Sequence, residues 1–227
     1  IYITTNDGTM ISSKTQYWDA KIKIDGAGVF PDMDETDMQI KGRGNSSWAG
    51  TWGKSPYHIK FAIGVKPLGL TKGKHWNLIA NAQTYSMTSN AIAMKIAQLV
   101  ETAGYNHEIP VELYINNEYR GSYNLTEKIG FANNSIDLQD ETYATMLELD
   151  SYYDETYKFR TSKYSLPVNI KEPDLSEGTS PLSSLRISQS FNKVTTALYN
   201  NEDMSDYIDL DYLARFLFVN ELVANTE

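Results

Sequence analysis

The chain has 227 residues, of which 41% are hydrophobic, 12% aromatic and 22% charged, enough to bury a core as one large domain or two small ones. Twenty Lys and Arg against 29 Asp and Glu leave a formal charge of −9, and no basic run stands out to neutralise a phosphate backbone, which argues against nucleic acid as a partner. With no cysteine there is no disulfide, no thiolate metal site and no cysteine nucleophile.

In chain order, residues 1–5 and 17–24 carry strand signals, the second through Ala20, Ile22 and Ile24 alternating with Lys21, Lys23 and Asp25. Asp32, Asp34, Glu35 and Asp37 read as a solvated acidic turn, since the glycine and distal Glu of a calcium loop are missing. Residues 38–42 and 57–61 read as two strands joined by a loop rich in Gly, Ser and Trp. In the second of these Tyr57, Ile59 and Phe61 share one face, which leaves His58 and Lys60 on the other, where Lys60 is able to face a cleft.

Ile92, Ile96, Leu99, Val100 and Ala103 recur at helical spacing across residues 86–103 and predict a packed helix stopped by Gly104. Residues 111–115 and 119–125 predict a hairpin about Asn116-Asn117, a pair that tolerates left-handed backbone. Further strands are expected at 146–149, 157–160 and 168–170. Residues 171–182, with Pro173, Gly178 and Pro181, read as a linker. Two helices follow, one through Ile187, Phe191, Val194 and Leu198, the other capped by Asp209 or Asp211 and running to about Ala224. The order predicts an α+β fold, with residues 1–172 forming a β-rich region carrying one helix and a hairpin, and 173–227 opening a helical region. The stretch at 213–224 is broken by Arg215, Asn220 and Glu221 and is shorter than the about 20 residues of a membrane helix. It reaches the last residues without a Gly cap, so a longer protein is expected.

Three histidines, His58, His75 and His107, form no H-E-x-x-H pair, and no G-x-S-x-G elbow is present, which argues against zinc and serine hydrolases. Gly53-Lys54-Ser55 has the tail of a P-loop, but Trp48 stands where its first glycine belongs and Pro56 leads into a strand. What remains is a glycine-containing loop followed by a lysine on the returning strand. Gly42 and Gly44 would allow backbone to approach a phosphate, and Asn45, Ser46 and Ser47 would supply donors. The same pattern serves plain β-turns, and Lys54 and Lys60 serve equally as exposed strand-edge charges, so both readings stand on the residues alone.

Gly42-Arg43-Gly44-Asn45-Ser46-Ser47-Trp48 and Lys54-Ser55-Pro56-Tyr57-His58-Ile59-Lys60-Phe61 resemble the R-G-N-S-T-W and K-x-P-Y-x-I-K signatures of the spore-coat protein H (CotH) kinase family. Trp76-Asn77-Leu78 with Ala80-Asn81, the hairpin from Leu113 to Ile129, Leu147-Glu148-Leu149-Asp150 and Asn220-Glu221-Leu222-Val223-Ala224-Asn225 are similar to its later blocks, in the same order.

The resemblance implies a protein-kinase-like α+β fold, β-rich then helical and truncated at its C-terminus, holding ATP with Mg²⁺ or Mn²⁺ and transferring the γ-phosphate to Ser or Thr of a protein or peptide. It implies a secreted or cell-envelope protein whose substrate lies on the surface or coat. Arg43, Asn45 and Ser46 would cover the phosphates, Lys60 or failing it Lys54 would pair with them, and Glu127 would lie near the adenine. The family's catalytic Asn-x-Asp corresponds to Asn225-Thr226-Glu227, with Glu in place of Asp, and the metal motif is expected beyond it. This fragment by itself is therefore expected to be inactive. A rival reading from composition is a surface adhesion or glycan-binding module in which Trp48, Trp52 and some of the 16 tyrosines stack on sugars, and a third is a structural coat protein.

Overall fold

The computed structural model describes residues 1–48 and 53–225. Two compact units divide the chain, residues 1–136 with 219–227 and residues 137–218.

The first unit is built on seven strands: β1 (Tyr2–Thr5), β2 (Trp18–Ile24), β3 (Met33–Gly42), β4 (Tyr57–Val65), β5 (Gly73–Ile79), β6 (Glu108–Ile115) and β7 (Glu118–Glu127). They close into a barrel in the order β1-β2-β3-β4-β5-β7-β6. Its interior is the apolar half of each alternating strand, including Ile3, Ile22, Ile40, Ile59, Trp76, Leu78, Leu113 and Leu125. Closure depends on β1. Tyr2 and Ile3 pair in parallel with Tyr114 and Ile115, and the Ile1 ammonium donates to the Glu112 carbonyl, 111 residues away, at 2.8 Å.

This barrel overturns the expectation of a protein-kinase-like α+β fold that turns helical after the sheet. Among the described residues there are three α-helices, of 11, 16 and 13 residues, beside a closed seven-stranded sheet. Strand periodicity reports which face of a strand is buried, but not which distant strand becomes its neighbour.

The acidic turn expected at 32–37 is mostly strand. Asp34, Glu35 and Asp37 lie in β3, antiparallel to β2, and the Lys21 ammonium reaches Glu35 at 3.0 Å and Asp37 at 3.8 Å. A cross-strand cation thus makes a strand of residues whose own propensity favours a turn. Strand β5 is not marked by the alternation of its sequence, because Trp76, Asn77 and Leu78 are buried in succession. The Asn116-Asn117 turn forms as expected, both residues having positive φ.

Helix α1 (Ser89–Leu99) lies against β6. Its half-buried stripe is Ala93, Ile96, Ala97 and Val100, while Ile92 and Leu99 are 54% and 73% exposed, so the packed face is rotated from the expected one.

The second unit contains an antiparallel sheet in the order β8-β10-β9, from β8 (Met146–Leu149), β9 (Lys158–Arg160) and β10 (Pro167–Glu172). Phe159 of β9 meets Phe191 of α2 (Ser184–Tyr199) edge-on at 6.1 Å. Ser183 caps α2 by accepting from Arg186 N–H. Asp209 rather than Asp211 caps α3 (Leu210–Leu222), its Oδ1 accepting from the N–H groups of Asp211 and Tyr212, each at 3.1 Å. Among the described residues no helix is long and apolar enough to cross a membrane.

Candidate functional site

Adjacent antiparallel strands place directly opposed residues on the same face. In the β3-β4-β5 portion of the barrel Lys41, His58 and Asn77 form one such row, and Gln39, Lys60 and His75 another. Ile40, Ile59 and Trp76 between them point inwards, so both rows stand on the outer face. Tyr17, just before β2, lies over this face with the Lys41 ammonium 4.8 Å and the Lys60 ammonium 5.8 Å from its ring centre. Both fall within cation–π reach.

His58 and His75 stack with ring centres 5.3 Å apart and planes at 17°. His58 Nε2 lies 3.2 Å from His75 Nδ1, and His58 Nδ1 lies 3.0 Å from Asn77 Oδ1. Burial, chiefly, pushes His58 down to about 4, with His75, Lys128 and Lys41 acting in the same direction against the Asn77 hydrogen bond. Burial also lowers His75, assisted by Lys128, Lys60, Lys74 and Lys41. Lys41 is lowered by burial and by repulsion from Lys128 and Lys60. Both histidines are therefore neutral near pH 7, in a group of lysines that repel one another. Among the described residues none of Lys41, Lys60, Lys74 and Lys128 has a carboxylate within ion-pair distance.

The loop after Gly42 adjoins the Lys41–His58 row, because Gly42 pairs with Tyr57. A Cβ on Gly42 would lie 2.4 Å from the Trp48 ring, so this glycine makes room for the indole, which packs against the core and meets Tyr57 edge-on at 6.4 Å. Trp48 is thus occupied in packing. Trp52 lies outside the described residues. Gly44, at φ +84°, has a backbone that favours glycine, and a Cβ there would meet Ser47 Oγ at 2.2 Å. The amides of Gly42 and Arg43 are taken by the carbonyls of Ser13 (2.8 Å) and Pro56 (3.2 Å), so those two amides are committed to the fold. Arg43 is half-buried, its charge disfavoured by desolvation, and has no carboxylate partner among the described residues. Asn45 Oδ1 accepts from the Lys14 ammonium at 3.0 Å, and Ser46 is exposed beside it.

The other residues singled out from sequence have different surroundings. Lys54 donates to the Ser122 carbonyl and sits 4.4 Å from the centre of the Tyr123 ring, so it is held on β7 and is not among the contacts of the Lys41–Lys60 group. Glu127 is buried on the same barrel-facing side as Trp76, and its carboxylate accepts from His107 N–H at 2.9 Å and contacts the His107 ring at 3.0 Å. The Asn225 amide donates to Asn220 Oδ1 at 2.7 Å beyond α3. Glu227, the expected catalytic carboxylate, lies outside the described residues.

The sequence profile of the family described as CotH kinase protein matches residues 38–227, which includes this whole group apart from Tyr17. The chain belongs to the CotH kinase family. No curated protein matches it.

The donors of this CotH domain suit a polyanion, because Lys41, Lys60, Lys74 and Lys128 offer ammonium groups that no carboxylate among the described residues has claimed. Among the described residues no three His, Asp or Glu side chains converge as metal ligands. Lys41, Lys128, His75 and Tyr17 were not evident as site residues from the sequence. The alternation of β3 carried a signal for Lys41, which shares a face with Gln39, but Lys128 and His75 join the group only through the pairing of β5 with β4 and β7.

Proposed function

We propose that the CotH domain is a phosphotransferase domain that holds the phosphates of ATP on the outer face of β3-β4-β5. Lys41, Lys60 and Lys128 would carry the charge neutralisation, with Arg43, Asn45 and Ser46 bordering the site on the adjoining loop. The observation that carries this reading is the set of mutually repelling lysines that, among the described residues, have no carboxylate within ion-pair distance, in a chain whose formal charge is −9. Such a cluster costs stability unless an anion occupies it, which is the signature of a site selected for a ligand.

The nucleotide supplies the γ-phosphoryl group. The chain's own part is to position its phosphates and offset their charge, the larger share of catalysis in phosphoryl transfer. On this reading the acceptor would be a Ser or Thr hydroxyl of a protein or peptide, and the reaction would take place in a secreted or cell-envelope setting.

Calorimetric titration of the purified chain with ATP tests the reading. Saturable binding that weakens about tenfold in Lys60→Ala is expected, since a charge-assisted contact contributes about 1.5–3 kcal/mol. Absence of binding, or binding indifferent to both Lys41→Ala and Lys60→Ala, would overturn it. Transfer of labelled γ-phosphate to added surface proteins by the full-length protein tests the acceptor class.

A further inference from the structure

The phosphate site contains a hydrogen-bonded pair of histidines whose protons are fixed by their surroundings. Asn77 Nδ2 donates to the Glu127 carbonyl at 3.4 Å, which leaves Asn77 Oδ1 as the acceptor facing His58 Nδ1 at 3.0 Å. With the amide in this orientation His58 carries its proton on Nδ1 and a lone pair on Nε2. That lone pair faces His75 Nδ1 at 3.2 Å, so His75 donates from Nδ1 and its own lone pair is left on Nε2. Among the described residues His75 Nε2 has no partner.

Only one further proton fits this chain of bonds. On His58 Nε2 it would set two N–H groups against each other and break the contact with His75. On His75 Nε2 it leaves every hydrogen bond in place and turns an acceptor into a charged donor. His75 is half-buried.

We propose, resting on the phosphate-binding reading above, that a multiply charged phosphate ligand binds this site together with one proton, which is taken from solvent by His75 Nε2. His75 then serves as a ligand-binding cation beside Lys41, Lys60 and Lys128. Without an anion the proton is opposed from every side. Lys41 acts from β3, Lys60 from β4, Lys74 from His75's own strand and Lys128 from the end of β7, while His58 and Tyr17 contribute no negative charge near pH 7. The ring's affinity for a proton is accordingly below that of an ordinary histidine. An anion placed among these lysines reverses the sign of the local field, and binding and protonation then favour each other by linkage.

The test is calorimetric titration of the whole chain with inorganic triphosphate at pH 7, in two buffers of different ionisation enthalpy, for the wild type and for His75→Gln. The variant cancels the probe's own protonation. Wild type is expected to take up more protons per bound triphosphate than His75→Gln, the excess lying between a few tenths and one, and its affinity to gain up to about tenfold per unit fall in pH relative to the variant. Equal proton uptake by two proteins that both bind overturns the inference and leaves the phosphate-binding reading intact. No saturable binding by wild type overturns both. Should His75→Gln fail to fold or bind, the imidazole NMR titration of wild type decides, the chain having only three histidines. A triphosphate-induced rise of about one unit or more in the His75 midpoint, with His107 unchanged, supports the proposal, and an unchanged His75 midpoint overturns it.

Discussion

Glu127 secures His107 through both carboxylate oxygens, one accepting from the backbone N–H at 2.9 Å and the other contacting the ring at 3.0 Å, although Glu127 itself is only 1% exposed. The pair ties the end of β7 to the residue that precedes β6. Glu127→Ala should lower stability by about 2 kcal/mol, because it strands a donor and a ring nitrogen. Urea unfolding would show the loss, and triphosphate affinity measured under folding conditions should not change.

The lysines separate by their surroundings. Lys41→Ala and Lys60→Ala should each weaken triphosphate binding about tenfold, and the affinity should fall as salt rises, since these ammonium groups lie at the surface. Lys54→Ala should leave affinity within about twofold. It should instead cost stability, on the order of 1 kcal/mol, through its lost contacts with Ser122 and the Tyr123 ring. A strong effect of Lys54→Ala on affinity would contradict this division.

Acid should destabilise the barrel through His58. Its folded pKa is depressed to about 4 from an ordinary 6.5, so between these values the unfolded chain binds more protons than the folded one. The contribution is complete above about pH 6.5 and is lost progressively as pH falls towards 4, amounting to on the order of 3 kcal/mol. Burial of His75 acts with the same sign. Denaturation midpoints at pH 7.5, 5.5 and 4.5 should fall less steeply in His58→Gln than in wild type, and parallel slopes would refute the assignment.

Gly42→Ala should be costly for a packing reason unrelated to ligand binding. The new methyl would lie 2.4 Å from the Trp48 ring, which is wedged against the core, and overpacking of this kind costs about 1–3 kcal/mol. A lower urea midpoint is the expected result, and an unchanged midpoint would refute the packing argument.

Much of the local structure could be read from the residues. Alternation marked β2 and β4, the Asn-Asn pair marked the β6–β7 hairpin, helical spacing marked α2 and an Asp cap marked α3. The motifs around Gly42 and Lys60 pointed to the family that the profile match shows. Where reading failed, neighbours from elsewhere in the chain had overridden local preference. Acidic residues of β3 became strand by pairing with Lys21, and β5 escaped notice because a strand covered on both faces does not alternate.

The residues alone determined which side of each strand is apolar, where the turns fall and that Lys60 points away from the core, because these depend on backbone geometry and on neighbours a few positions away. Only the tertiary structure decided that β1 closes on β6 to make a barrel, that Lys54 reaches Ser122 and Glu127 reaches His107, and that Lys41, Lys60, Lys128 and His75 share one face. Those outcomes depend on which distant strands pair, and a strand's own pattern is the same whichever partner completes its ladder.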